Sequence, residues 1–310
     1  MEEFRIEEKI GANDIRTDDE FCLEYGREKE TGFSGFPLLV FDGKLYSLVS
    51  GRDEVQRCRT EKKPLRYALV VDLMGDRLAL LRSLIRIKHE TGGFNVIEAA
   101  IAVKRLYCPS KNVAPDMLHL LGIPGNERFI EGYVSLAGAP DTLKKLVLNG
   151  KLDILTAFEI FAFERRDWVR VSRFAAGIKL GIKKRNSLLS MIYDIVQRDG
   201  LEVERLIERR EIKDILKMQI DPPHKGQKVY EAIERIRYPY ITQYKKKFYE
   251  TLRKVGMGPE LHLTIPQDFE QWNFSISFSF ASVDDFKRKV ELLGTIGSKS
   301  AFQELMDLRY

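Results

Sequence analysis

Basic side chains dominate the chemistry this chain offers. Residues 165–189 hold eight Lys or Arg against one Asp, a local net of +7 in a chain whose whole formal charge is +5. Arg165, Arg166, Arg170, Arg173, Lys183, Lys184 and Arg185 belong to that run, and helical spacing puts Arg166, Arg170 and Arg173 on one face. A charge run is usually a solvated helix face, but solubility does not require a single sign, and phosphate contact does favour one. Residues 222–256 form a second basic stretch in which Lys245, Lys246 and Lys247 stand among tyrosines, equally suited to base stacking and to plain packing. Residues 114–134 read as a helix, a glycine-marked turn and a second helix, with Asn126 and Arg128 as the donors that could reach bases or phosphates. Glu127 and Glu131 oppose that use, since carboxylates are repelled by a DNA backbone.

A different chemistry is offered where the strand pattern Leu45 to Ser50 runs into Gly51. A glycine there permits a sharp turn, the first amides of a following helix attract phosphate, and Arg52 or Arg57 could neutralise it. An ordinary strand-to-helix turn with solvated charges accounts for the same residues. Asp53, Glu54 and Glu98 could hold a metal for phosphoryl transfer, and without a cation they would repel the phosphates instead. Other catalytic patterns are missing. There is no GxxxxGK[ST] or GxGxxG, His89-Glu90 leads to Gly93 where HExxH needs histidine, and Gly32-Phe33-Ser34-Gly35 misses the GxSxG elbow by one residue. His89, His119, His224 and His262 are scattered, so they predict no metal site. Cys22, Cys58 and Cys108 form no CxxC pair, which excludes a zinc ribbon or a disulfide framework and fits a reducing interior.

The elements that must position these groups follow from patterning. With 310 residues, 44% hydrophobic and 31% charged, the chain can bury a sizeable core and is expected to be α+β with two or three domains. Short strands with tight turns are expected to about Leu73: Pro37 to Phe41, a hairpin turn at Asp42-Gly43, Lys44 to Ser50, and Tyr67 to Leu73. From Leu78 the period is helical. Asn95 and Glu98 form a capping-box pattern, and Val96, Ala100, Val103 and Tyr107 then share a face. Short helices punctuated by Gly and Pro fill 109–155, longer ones 156–216, and Asp221-Pro222-Pro223-His224-Lys225-Gly226 reads as a loop before a last unit. There Leu261 to Ile265 and Phe274 to Phe280 alternate as half-buried strands ahead of a helix near Asp284. The expected domains are 1–93, a small mixed sheet, 94–220, helical with a helix-turn-helix, and 221–310, a small α+β unit. The acidic start MEEFRIEEK lacks the flank and apolar core of a signal peptide, and no apolar run approaches the roughly 18 residues of a membrane span, so a cytoplasmic chain is expected.

Taken in order, Pro37-Leu38-Leu39-Val40, Ser50-Gly51-Arg52, Asn95-Val96-Ile97-Glu98, Leu121-Gly122 and Tyr133 through Pro140 resemble the ParB family of partition proteins over roughly Phe21 to Leu155. The resemblance implies a ParB/sulfiredoxin-like N-terminal domain, a helix-turn-helix, and a prokaryotic, nucleoid-associated homodimer on double-stranded DNA. A ParA-type ATPase is the partner it implies. It also implies CTP or another nucleotide with Mg at the turn, where Gly51, Arg52, Arg57 and Glu98 would bind it. The family carries two arginines after the turn glycine and a Glu-Asn pair before the Asn-Pro-Ile-Glu helix. Here Asp53 and Glu54 stand after Gly51-Arg52, and residues 85–91 lack the pair. The expectation is therefore a DNA-binding protein, in partition or regulation, without efficient nucleotide hydrolysis and with no catalytic residue. A nucleotide-dependent phosphotransferase or CTPase at Gly51 is the alternative, and an inert protein-docking adaptor the third reading.

Overall fold

The computed structural model describes residues 4–17, 21–26, 37–72, 76–264 and 274–308. The near-miss at Gly32-Phe33-Ser34-Gly35 lies outside them. The chain is α+β and packs as two compact units, Met1–Tyr230 and Glu231–Tyr310, with the boundary inside a helix. Among the described residues no helix is long and apolar enough to cross a membrane.

The first unit opens with β1 (Phe4–Ile10), a 3-10 turn (Ala12–Asp14), β2 (Ile15–Arg16), β3 (Leu38–Phe41), β4 (Tyr46–Ser50), α1 (Arg52–Glu61) and β5 (Leu65–Asp72). The sheet is mixed, in the order β1-β5-β3-β4-β2: β5 is antiparallel to β1 and parallel to β3, β4 antiparallel to β3 and parallel to β2. The predicted hairpin forms. Asp42 Oδ1 accepts from the amides of Lys44 and Leu45 at 2.9 and 2.8 Å, and Gly43 takes φ 89°, a conformation that favours glycine. These two amides also hold the Asp42 carboxyl below its ordinary pKa. Leu38, Leu39 and Val40 are fully buried because β3 lies between two neighbours with both faces covered. On one face Leu39, Leu48, Ala68 and Val70 pack with Val55 and Cys58 of α1.

Helices follow: α2 (Arg77–Gly92), α3 (Val96–Ser110), α4 (Pro115–Leu120), α5 (Glu127–Ala137), α6 (Asp141–Leu148), α7 (Ile154–Ile160), a 3-10 turn (Arg165–Asp167), α8 (Trp168–Gly177), α9 (Ile182–Asp199), α10 (Val203–Ile207), α11 (Arg210–Lys217) and α12 (Pro222–Arg237). The capping box of α3 is present on both sides: Asn95 Oδ1 accepts from Ile97 and Glu98 amides, and Glu98 accepts from the Asn95 amide. The buried face of α3 is broader than the predicted stripe and includes Ile97, Ala99, Ala102 and Leu106, because α3 packs between α2, α5 and α6. The expected loop at 221–226 is instead the start of α12. Asp221 caps it, accepting the His224 amide at 2.9 Å, and prolines are tolerated in a first turn whose amides have no helical acceptor.

The second unit contains α13 (Pro239–Val255), β6 (His262–Thr264), β7 (Ser275–Ser277), α14 (Val283–Gly297) and α15 (Ser300–Met306). β6 and β7 are antiparallel, with Leu263 and Ile276 against a core of Phe248, Val255, Leu261, Ile296 and Leu305 while Ser275 and Ser277 are exposed.

Candidate nucleic-acid interface

The basic run folds into a corner. Trp168 starts α8, its indole N–H donating to Phe163 O at 2.9 Å, so Arg165 and Arg166 fall in the preceding 3-10 turn. Arg166 therefore does not share a helix face with Arg170 and Arg173; the tight turn closed by the Asp167 amide on Glu164 O interrupts the helical register. Arg165 donates to Gly138 O and lies over the Trp168 ring. Arg166 pairs with Glu164 at 2.8 Å, and Arg170 with Glu204 at 2.7 Å and Asp167 at 3.7 Å. Both arginines are exposed, where an ion pair is worth at most about 1 kcal/mol and exchanges readily for a phosphate.

Residues 178–181 turn the chain from α8 into α9. Gly181 is the N-cap and supplies no side chain to the first amides, the first turn holds no acid, and Lys183 and Lys184 stand in it. Arg173, Lys179 and Lys183 are exposed and form no ion pair among the described residues. Lys184 is held by α12, donating to Gln227 Oε1 at 2.6 Å and lying over the Tyr230 ring. Gly226 of α12 passes so close to this corner that a Cβ there would stand 2.6 Å from Lys179 O. Arg185, 13% exposed, ties the corner to α7 through Asp153 at 3.4 Å and Leu180 O at 3.1 Å. It is a structural arginine rather than an open one.

Asn126 and Arg128 lie elsewhere, at the start of α5. Asn126 is its N-cap, Oδ1 accepting the Phe129 amide at 3.0 Å, and Arg128 pairs with Glu159 at 2.9 Å. Arg128 lines an open groove of about 480 Å³ with Glu127, Glu131, Ser135, Phe158 and Glu159, acidic where a DNA-facing helix would be basic.

The Gly51 turn has the predicted geometry, and it is filled from within. Gly51 takes φ 97°, which favours glycine, and a Cβ there would stand 2.8 Å from Pro37 Cα. The amides of Gly51 and Arg52 both donate to Glu24, to Oε1 at 2.7 Å and Oε2 at 2.9 Å. Arg52 donates to Thr17 O and toward Cys22 Sγ, and Arg57 pairs with Glu54 at 2.6 Å. Glu98 is fully buried and accepts from Lys88 Nζ at 3.3 Å, from the Tyr25 amide at 3.3 Å and from the Asn95 amide. A triphosphate needs open amides and available cations. The residues present do not fit a nucleoside triphosphate with its metal. No three His, Cys, Asp or Glu gather as a metal site among the described residues.

Of two functional neighbours, one is beyond local sequence reasoning. Glu24 lies 27 residues before Gly51 in an irregular segment, and no spacing links them. Lys88 did leave a trace, as a lone cation following Leu81, Leu84 and Ile85 on an apolar helix face.

These features define a class: an α+β chain with a small mixed sheet, a helical part bearing a basic corner, and a second small α+β unit. A search of solved structures matches the C-terminally truncated chromosome-partitioning protein ParB from Caulobacter crescentus complexed to the centromeric parS site, at 15% identity and a TM-score of 0.31, covering 59% of this chain and 99% of that one. No protein-family model and no curated protein matches the chain.

Proposed function

We propose that this chain binds double-stranded DNA in the manner of a ParB-type protein, in partition or regulation, through the α8–α9 corner. The observation that carries the reading is the start of α9. A helix N-terminus prefers acids by about 0.3–1 kcal/mol each, and α9 places Lys183 and Lys184 there with no capping side chain. An arrangement that opposes local stability makes sense where amides and ammonium groups meet an external anion together. Arg173 and Lys179 extend that surface, and Arg166 and Arg170 join it by exchanging the exposed carboxylates of Glu164 and Glu204. Asn126 and Arg128 are secondary contacts, since the first caps α5 and the second is paired with Glu159 of α7. A homodimer and a ParA-type ATPase are the partners the reading implies.

The test is fluorescence anisotropy of labelled duplex DNA against salt for the parent and the triple variant Arg173→Ala, Lys179→Ala, Lys183→Ala. Each lost phosphate contact flattens the log–log salt slope by about 0.9, so a change of about 2 to 3 is expected, with similar weakening on unrelated sequences. Equal affinity of parent and variant at every salt concentration would remove the corner from the interface.

A further inference from the structure

Residues 21–26 form no regular element, yet they are bonded at successive positions to four parts of the first unit. Arg105 of α3 donates to Cys22 O, and the Leu23 amide donates to Val49 O of the sheet at 3.1 Å. Glu24 spans the first amides of α1. Tyr25 is held on both sides of its backbone by the α3 cap, its amide donating to Glu98 and its carbonyl accepting Asn95 Nδ2 at 2.9 Å, while its hydroxyl donates to Asp141 at the start of α6. Burial and the neighbouring Asp141 push the Tyr25 phenol up to about 12, so it stays a neutral donor.

The strap thus delivers a carboxylate to a helix end and is fixed on either side of it. Phe21, Cys22 and Leu23 are buried in front, and the Tyr25 latch lies behind. We propose that Glu24 is a resident substitute for a bound phosphate, seated by this strap on the Gly51 and Arg52 amides so that the turn excludes nucleoside triphosphates. A tethered group competes at an effective concentration on the order of millimolar or more, and an entering phosphate must break two charge-assisted hydrogen bonds to reach the same amides. The expectation of a nucleotide at this turn is thereby inverted: a strand, a glycine turn and a helix are built as for an anion, and the chain supplies the anion. The inference does not depend on DNA binding.

Isothermal titration of the full chain with CTP, ATP and inorganic tripolyphosphate, each with and without magnesium and with no DNA present, tests it. The parent should show no saturable binding at micromolar concentrations. Glu24→Gln keeps the shape and removes the charge, and should tighten triphosphate binding by about tenfold or more, the scale of one charged hydrogen bond. Micromolar binding of CTP or ATP by the parent overturns the proposal, as does a folded Glu24→Gln variant that binds no better than the parent. If the variant does not fold, amide exchange in the parent decides: Gly51 and Arg52 should be protected, with protection unaltered by millimolar tripolyphosphate. Unprotected amides, or resonances that shift on adding it, overturn the proposal.

Discussion

Helices α1 and α9 both begin at a glycine, and their first turns are treated in opposite ways. The start of α1 receives Glu24 on two amides and carries Asp53 and Glu54 in its own first turn. The start of α9 has no side-chain cap, no acid, and two lysines. Both carry the same partial positive charge. One is neutralised by the chain itself and the other is reinforced, so under the proposed function the corner, and not the glycine turn, is the end that meets anions. A protein that used its nucleotide end to control its DNA end would be expected to show the reverse at α1.

The sealed end should be the costlier one to open. Lys88 and Glu98 form a pair whose side chains are 4% and 0% exposed, and Glu98 also holds the strap. Lys88→Met leaves a buried carboxylate without its cation, and should cost about 3–5 kcal/mol in urea unfolding, with Glu98→Gln in the same chain recovering part of the loss. A Lys88→Met variant within error of the parent would mean that the strap and the caps, not the pair, close this end.

At the open end the first lever is steric. Gly226→Ala would push a methyl against Lys179 O, a backbone atom with nowhere to rotate, costing about 1–3 kcal/mol and displacing the corner. Gly181→Ala meets no atom within 4 Å and should cost only the poorer N-cap of alanine, about 0.5–1 kcal/mol, without displacing the corner. Thermal melts with DNA titrations on both variants sharpen the contrast: affinity should fall for the first far more than for the second.

A second lever separates stability from binding. Lys183→Glu puts an acid where the α9 dipole wants one, and should raise stability by about 0.3–1 kcal/mol. The same change removes a phosphate contact and adds repulsion, so DNA affinity should fall while the melting temperature rises. If both rise, or both fall, the lysine is placed for some other reason.

Much of the scaffold could be read from local pattern because its determinants are local. Asp42-Gly43 and the Asn95–Glu98 box each act within four residues, and both form as expected. Asp221-Pro222-Pro223 was equally local, but its prolines suggest a loop unless the preceding acid is read as a cap. The basic run was legible as composition and not as shape. Arg166 leaves the face of Arg170 because an indole bond to Phe163 fixes where α8 begins, and Arg185 turns inward because Asp153, 32 residues earlier, lies beneath it. Glu24 is the extreme case, since its meaning depends on a turn 27 residues away.

The second unit supplies an internal standard for a helix start closed from its own sequence. In α14 the Ser282 hydroxyl accepts the Asp285 amide, and Asp285 accepts the Ala281 amide and pairs with Arg288 at 2.9 Å and Lys289 at 3.0 Å. Those bonds, the Arg288 and Lys289 ones foremost, hold the Asp285 carboxyl down at about 2, against an ordinary 3.8. A depressed carboxyl stabilises the folded state above its unfolded pKa, and that contribution is lost as pH falls from about 4 through about 2. Carbon-13 titration of the carboxyl should give a midpoint near 2 in the parent, moving toward 3.8 when Arg288→Ala removes the leading partner. A midpoint that ignores Arg288 would show that the amide of Ala281 and Lys289 suffice, and that an acid at a helix start needs no guanidinium to stay ionised.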